Sequence, residues 1–316
     1  MRSTHQLPVI VVAGPTASGK SMLALELATL LGGTIINADS QQIYRDLPIL
    51  TAQPDAAAVR HAPHRLYGFL DAAERGSAAR WRALALAKIA AAHEAGRLPL
   101  VVGGTGLYLR ALIQGLAPVP VIPSEIREEA AALYRELGGP GFREKVAALD
   151  PEAAARLPPG DRARLTRAFE VVRATGVTLA EWQRRAANTL PYRFVTILLM
   201  PPRHVLYAAC DARFASMLAA GGLDEAQALT ARDLDPGLPA MKAVGLPELL
   251  RHLRGEIGLG EAIALAQQST RRYAKRQTTW FRHQLVPDLL FDEQFSASLL
   301  QRARDFIGQS RLTARQ

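Results

Sequence analysis

Uninterrupted apolar runs punctuate the chain at Val9-Ile10-Val11-Val12, Thr34-Ile35-Ile36-Asn37-Ala38, Pro99-Leu100-Val101-Val102 and Phe194 to Met200, with a shorter one at Leu289-Leu290-Phe291. Short runs of this kind, without polar alternation, are the pattern of parallel strands buried on both faces. Stretches with helical periodicity lie between them, at Met22 to Leu31, Ala78 to Ala95, Arg203 to Ala220 and Leu223 to Arg232. Strands alternating with helices predict an α/β domain built on a parallel sheet. Residues 43–77, with Pro48, Pro54 and Pro63, read as irregular. Beyond Pro118, Pro120 and Pro123 the pattern changes to helical stretches only, Glu125 to Leu137, Phe142 to Leu149 and Arg162 to Ala174. This predicts an all-helical insertion domain at 118–190 between two parts of the sheet domain, 1–117 and 191–316.

The first strand runs into Gly14-Pro15-Thr16-Ala17-Ser18-Gly19-Lys20-Ser21, and a helix follows. The spacing is G-x-x-x-x-G-K-[ST] in its proper strand–loop–helix setting, so the fold class expected is a P-loop NTPase-like parallel sheet flanked by helices. Gly14 and Gly19 let the backbone turn its N–H groups onto phosphate oxygens, and the helix N-terminus adds partial positive charge. Lys20 supplies a full charge, and the Ser21 hydroxyl suits a magnesium ion. The loop thus calls for a diphosphate or triphosphate, such as that of a nucleotide.

Two more strand ends carry candidate chemistry. The second strand ends at Asp39-Ser40-Gln41-Gln42, which a doubly wound sheet places beside the phosphate loop. An Asp there serves either as a turn or helix cap, or to hold the acceptor group facing the phosphate loop. The next central strand ends in Gly103-Gly104-Thr105 where an ATPase would carry a metal-holding Asp. The missing acid argues against ordinary ATP hydrolysis and puts a hydroxyl in the crevice instead. His61 and His64 have no carboxylate or Cys partner at ligand spacing, so they read as part of a solvated or substrate-facing loop.

Charge extends the picture. The 316 residues include 38 Lys and Arg against 29 Asp and Glu, a net +9, and a protein this basic usually meets a polyanion. The stretch Arg271 to His283 carries five Lys or Arg and no acid. As a helix it would set Arg272, Lys275, Arg276 and Thr279 on one stripe and Tyr273, Gln277, Trp280 and Phe281 on another. Cations beside aromatics suit a nucleic-acid backbone with stacked bases, although Trp280 reads better as packed than as stacked. Arg164 and Arg167 share a helix face in the insertion. A single cysteine, Cys210, excludes an intramolecular disulfide and fits the reducing cytoplasm. Met1 to Pro8 is polar and leads straight to the phosphate-loop strand, so neither a secretory leader nor a membrane span is expected. The residues themselves admit three readings. One is transfer from a phosphorylated donor to an acceptor near Asp39, with a polyanion attached to that acceptor. A second is an ATP-dependent kinase of a nucleoside or small metabolite. The third is a non-catalytic RNA-binding module with a nucleotide switch.

Six segments taken together resemble the tRNA dimethylallyltransferase family: Gly14 to Ser21, Asp39 to Tyr44, Ala62 to Leu66, Gly103 to Tyr108, Arg164 to Glu170 and Lys275 to Arg282. The resemblance implies transfer of a dimethylallyl group from dimethylallyl diphosphate to N6 of adenosine 37, next to the anticodon, in tRNAs reading codons that begin with U. The loop, Gly14, Pro15, Thr16, Ala17, Ser18, Gly19, Lys20 and Ser21, would then grip the diphosphate, with Mg2+ at Ser21. Asp39 would be the base, Thr105 would orient the amine, and Lys20 would stabilise the leaving group. The resemblance further implies tRNA contacts at Asp39, Ser40, Gln41, Gln42, Thr105, Arg127, Ala163, Arg164, Leu165, Thr166, Arg167, Lys242, Lys275, Arg276, Gln277, Thr278, Thr279, Trp280, Phe281 and Arg282. The partners implied are the anticodon stem-loop and dimethylallyl diphosphate, met by a monomer with no membrane association. The chain departs from the family pattern at Lys242, Leu246 and Pro247, where the family often has Arg, Tyr and a further cation, and at Pro158-Pro159-Gly160-Asp161, where only the Asp is kept.

Overall fold

A computed structural model describes residues 6–185 and 190–310; residues 1–5 of the polar N-terminal stretch, and residue 189 at the end of the expected insertion, lie outside these. Strand β1 (Leu7–Ala13) leads through the phosphate loop to α1 (Lys20–Leu31) and β2 (Gly33–Asn37). The stretch expected to be irregular contains α2 (Ala56–His61), capped by the Asp55 carboxylate, and the two-residue strand β3 (His64–Arg65). Both are too short to leave a periodic trace in sequence. Then come α3 (Ala78–Glu94), β4 (Leu98–Gly103) and α4 (Gly106–Gln114). The purely helical stretch follows as α5 (Ser124–Leu149), α6 (Pro151–Arg156), α7 (Arg162–Thr175) and α8 (Leu179–Arg184). Within α5 the backbone breaks at Gly138, φ +64°, between the two helical stretches read from sequence. The chain returns through β5 (Tyr192–Leu199), α9 (Arg203–Ala219), α10 (Gly222–Thr230), α11 (Leu246–Leu253) and α12 (Leu259–Gln284), and ends in β6 (Leu289–Phe291) and α13 (Ala297–Gln309).

The six strands form one parallel sheet in the order β3-β2-β4-β1-β5-β6. β1 lies between β4 and β5, so Val12 stands opposite Val102 on one side and Ile197 on the other. The connection from β1 runs to β2 on one side, while that from β4 crosses to β5 on the other, and the crevice at the C-terminal ends of β1 and β4 is where such sheets bind ligands. Both faces are apolar, which accounts for the uninterrupted runs. Ile10, Val12, Leu100 and Val102 pack against Leu23 and Leu27 of α1 and Leu299 and Ile307 of α13. Val9, Val11, Ile36 and Val101 pack on the other face with Trp81, Ile89, Leu109 and Phe281. A further cluster joins Ile43, Leu47 and Leu50 to Phe214, Leu246 and Leu249 beside the crevice.

Contacts divide the chain into two compact units. One takes the chain up to Ile113 and from Leu190 onward, and the other is Gln114–Thr189. The second has its own small core around Phe142, Val146, Leu165 and Phe169.

Candidate active site

The phosphate loop holds a strained geometry. Ala17 has φ +62°, a left-handed conformation that L side chains rarely adopt, and Gly19 has φ +89°. Gly14 sits so close to the Leu199 carbonyl that a Cβ there would stand 2.7 Å from its oxygen. The Ser18 hydroxyl is fully buried with no hydrogen-bond partner among the described residues. Lys20 is buried, and its Nζ donates to the Pro15 carbonyl at 3.2 Å. Burial lowers its pKa to about 8; Asp39 pulls it back up and Arg213 pushes it further down. Ser21, in the first turn of α1, is exposed.

Asp39 is held by its neighbour. The fully buried Asn37 amide accepts from the Asp39 N–H at 2.8 Å and donates to the carbonyls of Asp39 and Leu66, each at 3.0 Å. The Asp39 Oδ1 accepts from the Gln41 N–H at 3.0 Å, closing a turn. The carboxylate thus meets the turn reading. It also sits in the crevice, where it favours the charged forms of Lys20 and Arg213 and opposes ionisation of Tyr67, Tyr108 and Tyr273. Thr105 Oγ1 accepts from the Ser40 N–H at 2.8 Å and lies 3.1 Å from the Ser40 hydroxyl, with the Tyr273 phenol beside it. The glycines at the end of β4 have a steric cause. A Cβ on Gly103 would lie 2.2 Å from the Ala38 backbone, so no metal-holding carboxylate fits there.

A pocket lies between Thr16 of the phosphate loop and Asp39. Thr16, Asp39 and Arg213 stand on its polar side, and Leu50, Phe214, Met217 and Val244 on its apolar side. Arg213 was not among the residues expected from sequence. Its Nη1 donates to the Thr16 hydroxyl at 3.1 Å and its Nη2 to the Thr51 carbonyl at 3.4 Å, and burial lowers its pKa. The signal was present: Arg213 interrupts the apolar stripe Leu206, Cys210, Phe214, Met217 along α9. The buried Lys20 and the half-buried Arg213 close to a single carboxylate, beside a helix N-terminus with unsatisfied N–H groups, make a site that favours a multiply charged anion.

Helix α12 separates into the two stripes the spacing predicts. Arg272, Lys275, Arg276, Thr279 and Arg282 are exposed, and the Arg276 guanidinium stands 5.6 Å from the Tyr273 ring centre. Gln277 is buried and bridges the site: its Oε1 accepts from the Thr16 N–H at 2.8 Å, and its Nε2 donates to the Gly104 carbonyl at 2.9 Å. Trp280 packs on Gly106, where a Cβ would lie 2.3 Å from the ring, and Phe281 is fully buried. In the second unit Leu165 is fully buried, Thr166 bonds back to the Arg162 carbonyl, and Arg127, Ala163 and Arg164 are exposed. Leu165, Gln277 and Phe281 therefore shape the scaffold and have no surface to offer RNA. Gln42 is likewise occupied, donating to the carbonyls of Thr51 and Ala52, while Gln41 accepts from the Val244 N–H at 3.3 Å. Lys242 is exposed; Leu246 is core, and Pro247 opens α11, which gives the departure from the family pattern a structural role.

The family model described as IPP transferase matches residues 42–284. A tRNA dimethylallyltransferase of Rhodospirillum centenum is 60% identical over 90% of this chain and 91% of its own length. One from Rhodospirillum rubrum is 53% identical over 95% of this chain and 92% of its own. Among solved structures, a full-length tRNA isopentenylpyrophosphate transferase of Bacillus halodurans is 34% identical with a TM-score of 0.70, covering 96% of each chain. A eukaryotic dimethylallyltransferase captured acting on tRNA is 28% identical with a TM-score of 0.80, covering 96% of this chain and 80% of its own.

Proposed function

The chain belongs to the IPP transferase family, and from that premise we propose that it moves the dimethylallyl group of dimethylallyl diphosphate onto N6 of adenosine 37 in tRNAs reading codons that begin with U, releasing diphosphate. The observation that carries this reading is the pairing of a doubly cationic phosphate cradle, Lys20 and Arg213, with one carboxylate, Asp39, across a half-apolar pocket. A kinase needs the cradle, but the phosphoryl group it transfers calls for no apolar wall beside the phosphates. An RNA-binding switch needs neither wall nor carboxylate.

In the proposed reaction the adenine N6 lone pair attacks C1 of the allylic chain. The C1–N bond forms, the C1–O bond breaks with its electrons passing to diphosphate, and Asp39 takes the amine proton. An exocyclic amine is a weak nucleophile because its lone pair is delocalised into the ring, so proton removal at bond formation matters. Negative charge grows on the leaving oxygens, where Lys20, Arg213 and the first-turn N–H groups of α1 stand. Thr105, held by Ser40, would orient the amine. The purine must leave the anticodon loop to reach this depth, as bases do in enzymes that modify them. Lys275, Arg276, Thr279 and Arg282 on α12, with Lys242, Arg127, Arg164 and Arg167, are the proposed contacts to the RNA backbone.

Magnesium fits this site only as an ion shared with the ligand. Among the described residues no three His, Cys, Asp or Glu side chains are grouped to hold a metal. The exposed Ser21 hydroxyl is a hard oxygen donor, and Mg2+ binds characteristically through one or two protein oxygens plus phosphates and water. When bound it would offset charge on the diphosphate. We place the enzyme in the cytoplasm, acting as a monomer; no helix among the described residues is long and apolar enough to cross a membrane. The test incubates the protein and tRNA with either dimethylallyl diphosphate labelled in the prenyl group or ATP labelled in the terminal phosphate. Label is expected in tRNA from the first only. Label passing from ATP to any acceptor would overturn the proposal.

A further inference from the structure

The pocket follows α9. Cys210 belongs to a small cluster with Ala17 of the phosphate loop, Arg213 bonds Thr16, and Phe214 and Met217 continue along the same lining. Met217 lies four residues, roughly 6 Å, beyond Arg213 along the helix axis. That is about one helical turn, and one isoprene unit has a similar length. Behind Met217 and Leu50 the protein is tightly packed. Met217 packs with Leu50 and Phe214 in one apolar cluster. A Cβ on Gly222 would lie 2.8 Å from the Met217 carbonyl oxygen and 3.0 Å from the Leu50 side chain, so no spare room remains there. Leu50 is also pinned from behind. The Glu225 carboxylate accepts from the N–H groups of Ile49 and Leu50 at 2.7 and 2.8 Å, Gln42 holds the carbonyls of Thr51 and Ala52, and Arg213 donates to Thr51.

We propose that Met217 and Leu50 set the length of the prenyl group accepted, admitting one isoprene unit and rejecting two. The inference rests on the prenyl-transfer reading and names the part of the site that chooses the donor. With the diphosphate between Lys20 and Arg213, the allylic chain runs along α9 and its terminal methyl groups meet Met217 and Leu50. A geranyl chain would need a further turn of helix, where Gly222, Leu50 and Glu225 stand. Because Glu225 fixes the Leu50 backbone from a separate helix, the wall resists displacement and behaves as a rigid stop. A hydrophobic pocket discriminates a single methylene by about 10- to 200-fold, so a five-carbon excess against a fixed wall should be excluded strongly.

The test compares dimethylallyl and geranyl diphosphate as donors to tRNA, read by the mass of the modified nucleoside, for the wild-type protein, Met217→Ala, Leu50→Ala and Met217→Trp. The wild-type protein should prefer the shorter donor by at least about 100-fold in kcat/KM, and Met217→Ala should narrow that preference to about tenfold or less. Met217→Trp should raise KM for dimethylallyl diphosphate about tenfold while tRNA affinity stays the same. The inference is overturned if both alanine variants transfer dimethylallyl but keep the wild-type preference. It is also overturned if their defect lies only in tRNA affinity, since the wall would then cover the purine. A wild-type protein that transfers neither donor would refute the prenyl reading itself.

Discussion

Gln277 accepts the Thr16 N–H and donates to the Gly104 carbonyl, so one side chain on the basic helix joins the phosphate loop to the turn that carries Thr105. Both bonded groups lie inside the crevice, where an unpaired polar group costs about 1–3 kcal/mol. Gln277→Ala should therefore raise KM for dimethylallyl diphosphate about tenfold and lower the melting temperature by a few degrees. Steady-state kinetics beside a thermal melt checks this. An unchanged KM with a lowered melting temperature would reduce Gln277 to a structural role.

Lys20 gives a pH dependence with a definite sign. Burial brings its pKa to about 8 in the free protein, and a diphosphate bound beside it would favour the charged form. Binding should therefore take up protons at and above pH 8, and diphosphate affinity should fall as pH rises through that value. Calorimetry in two buffers of different ionisation enthalpy measures the uptake. The folded-state pKa lies below the unfolded value of 10.5, so the folded protein binds fewer protons between the two. The Lys20 contribution accordingly makes stability rise with pH over that window and destabilises the fold below about 8.

Gly106 opens α4, a place where alanine would ordinarily be welcome, yet a Cβ there would lie 2.3 Å from the Trp280 ring. Gly106→Ala should cost about 1–3 kcal/mol by overpacking. Denaturant unfolding reads the loss, and Trp280→Leu in the same chain should recover part of it.

The exposed cations of α12 should act through the RNA backbone. Alanine at Lys275, Arg276 or Arg282 should weaken tRNA binding at low salt whatever the anticodon, each lowering the slope of log K against log salt by about 1. Binding titrations at several salt concentrations check this, with Arg302→Ala on α13, across the sheet, as the control.

Much of this site is legible before any coordinates. The phosphate loop, Asp39 and the Gly103-Gly104-Thr105 turn fall at the ends of strands whose apolar runs mark them as central, and the sheet places them together. The alternation along α12 separates solvated cations from packed Gln277, Trp280 and Phe281 because helical period alone decides which side chains face inward. Arg213 is harder to see, since a lone Arg among apolar positions looks like a snorkelling surface residue until its partner Thr16, far away in sequence, is known. Asn37 and Glu225 are hidden for the same reason: each acts on backbone groups, and backbone partners leave no residue-type signature. α2 and β3 escape because two to six residues are too few to show a period.

The most direct test of the whole account is the single-turnover rate of Asp39→Asn with tRNA prebound and dimethylallyl diphosphate added in excess. Loss of the base should lower prenyl transfer by about 10²- to 10⁴-fold, with tRNA and diphosphate affinities close to wild type. A rate within twofold of wild type would contradict the account, since Asp39, its backbone held by Asn37 and its carboxylate by the Gln41 N–H, would then be a turn residue and nothing more.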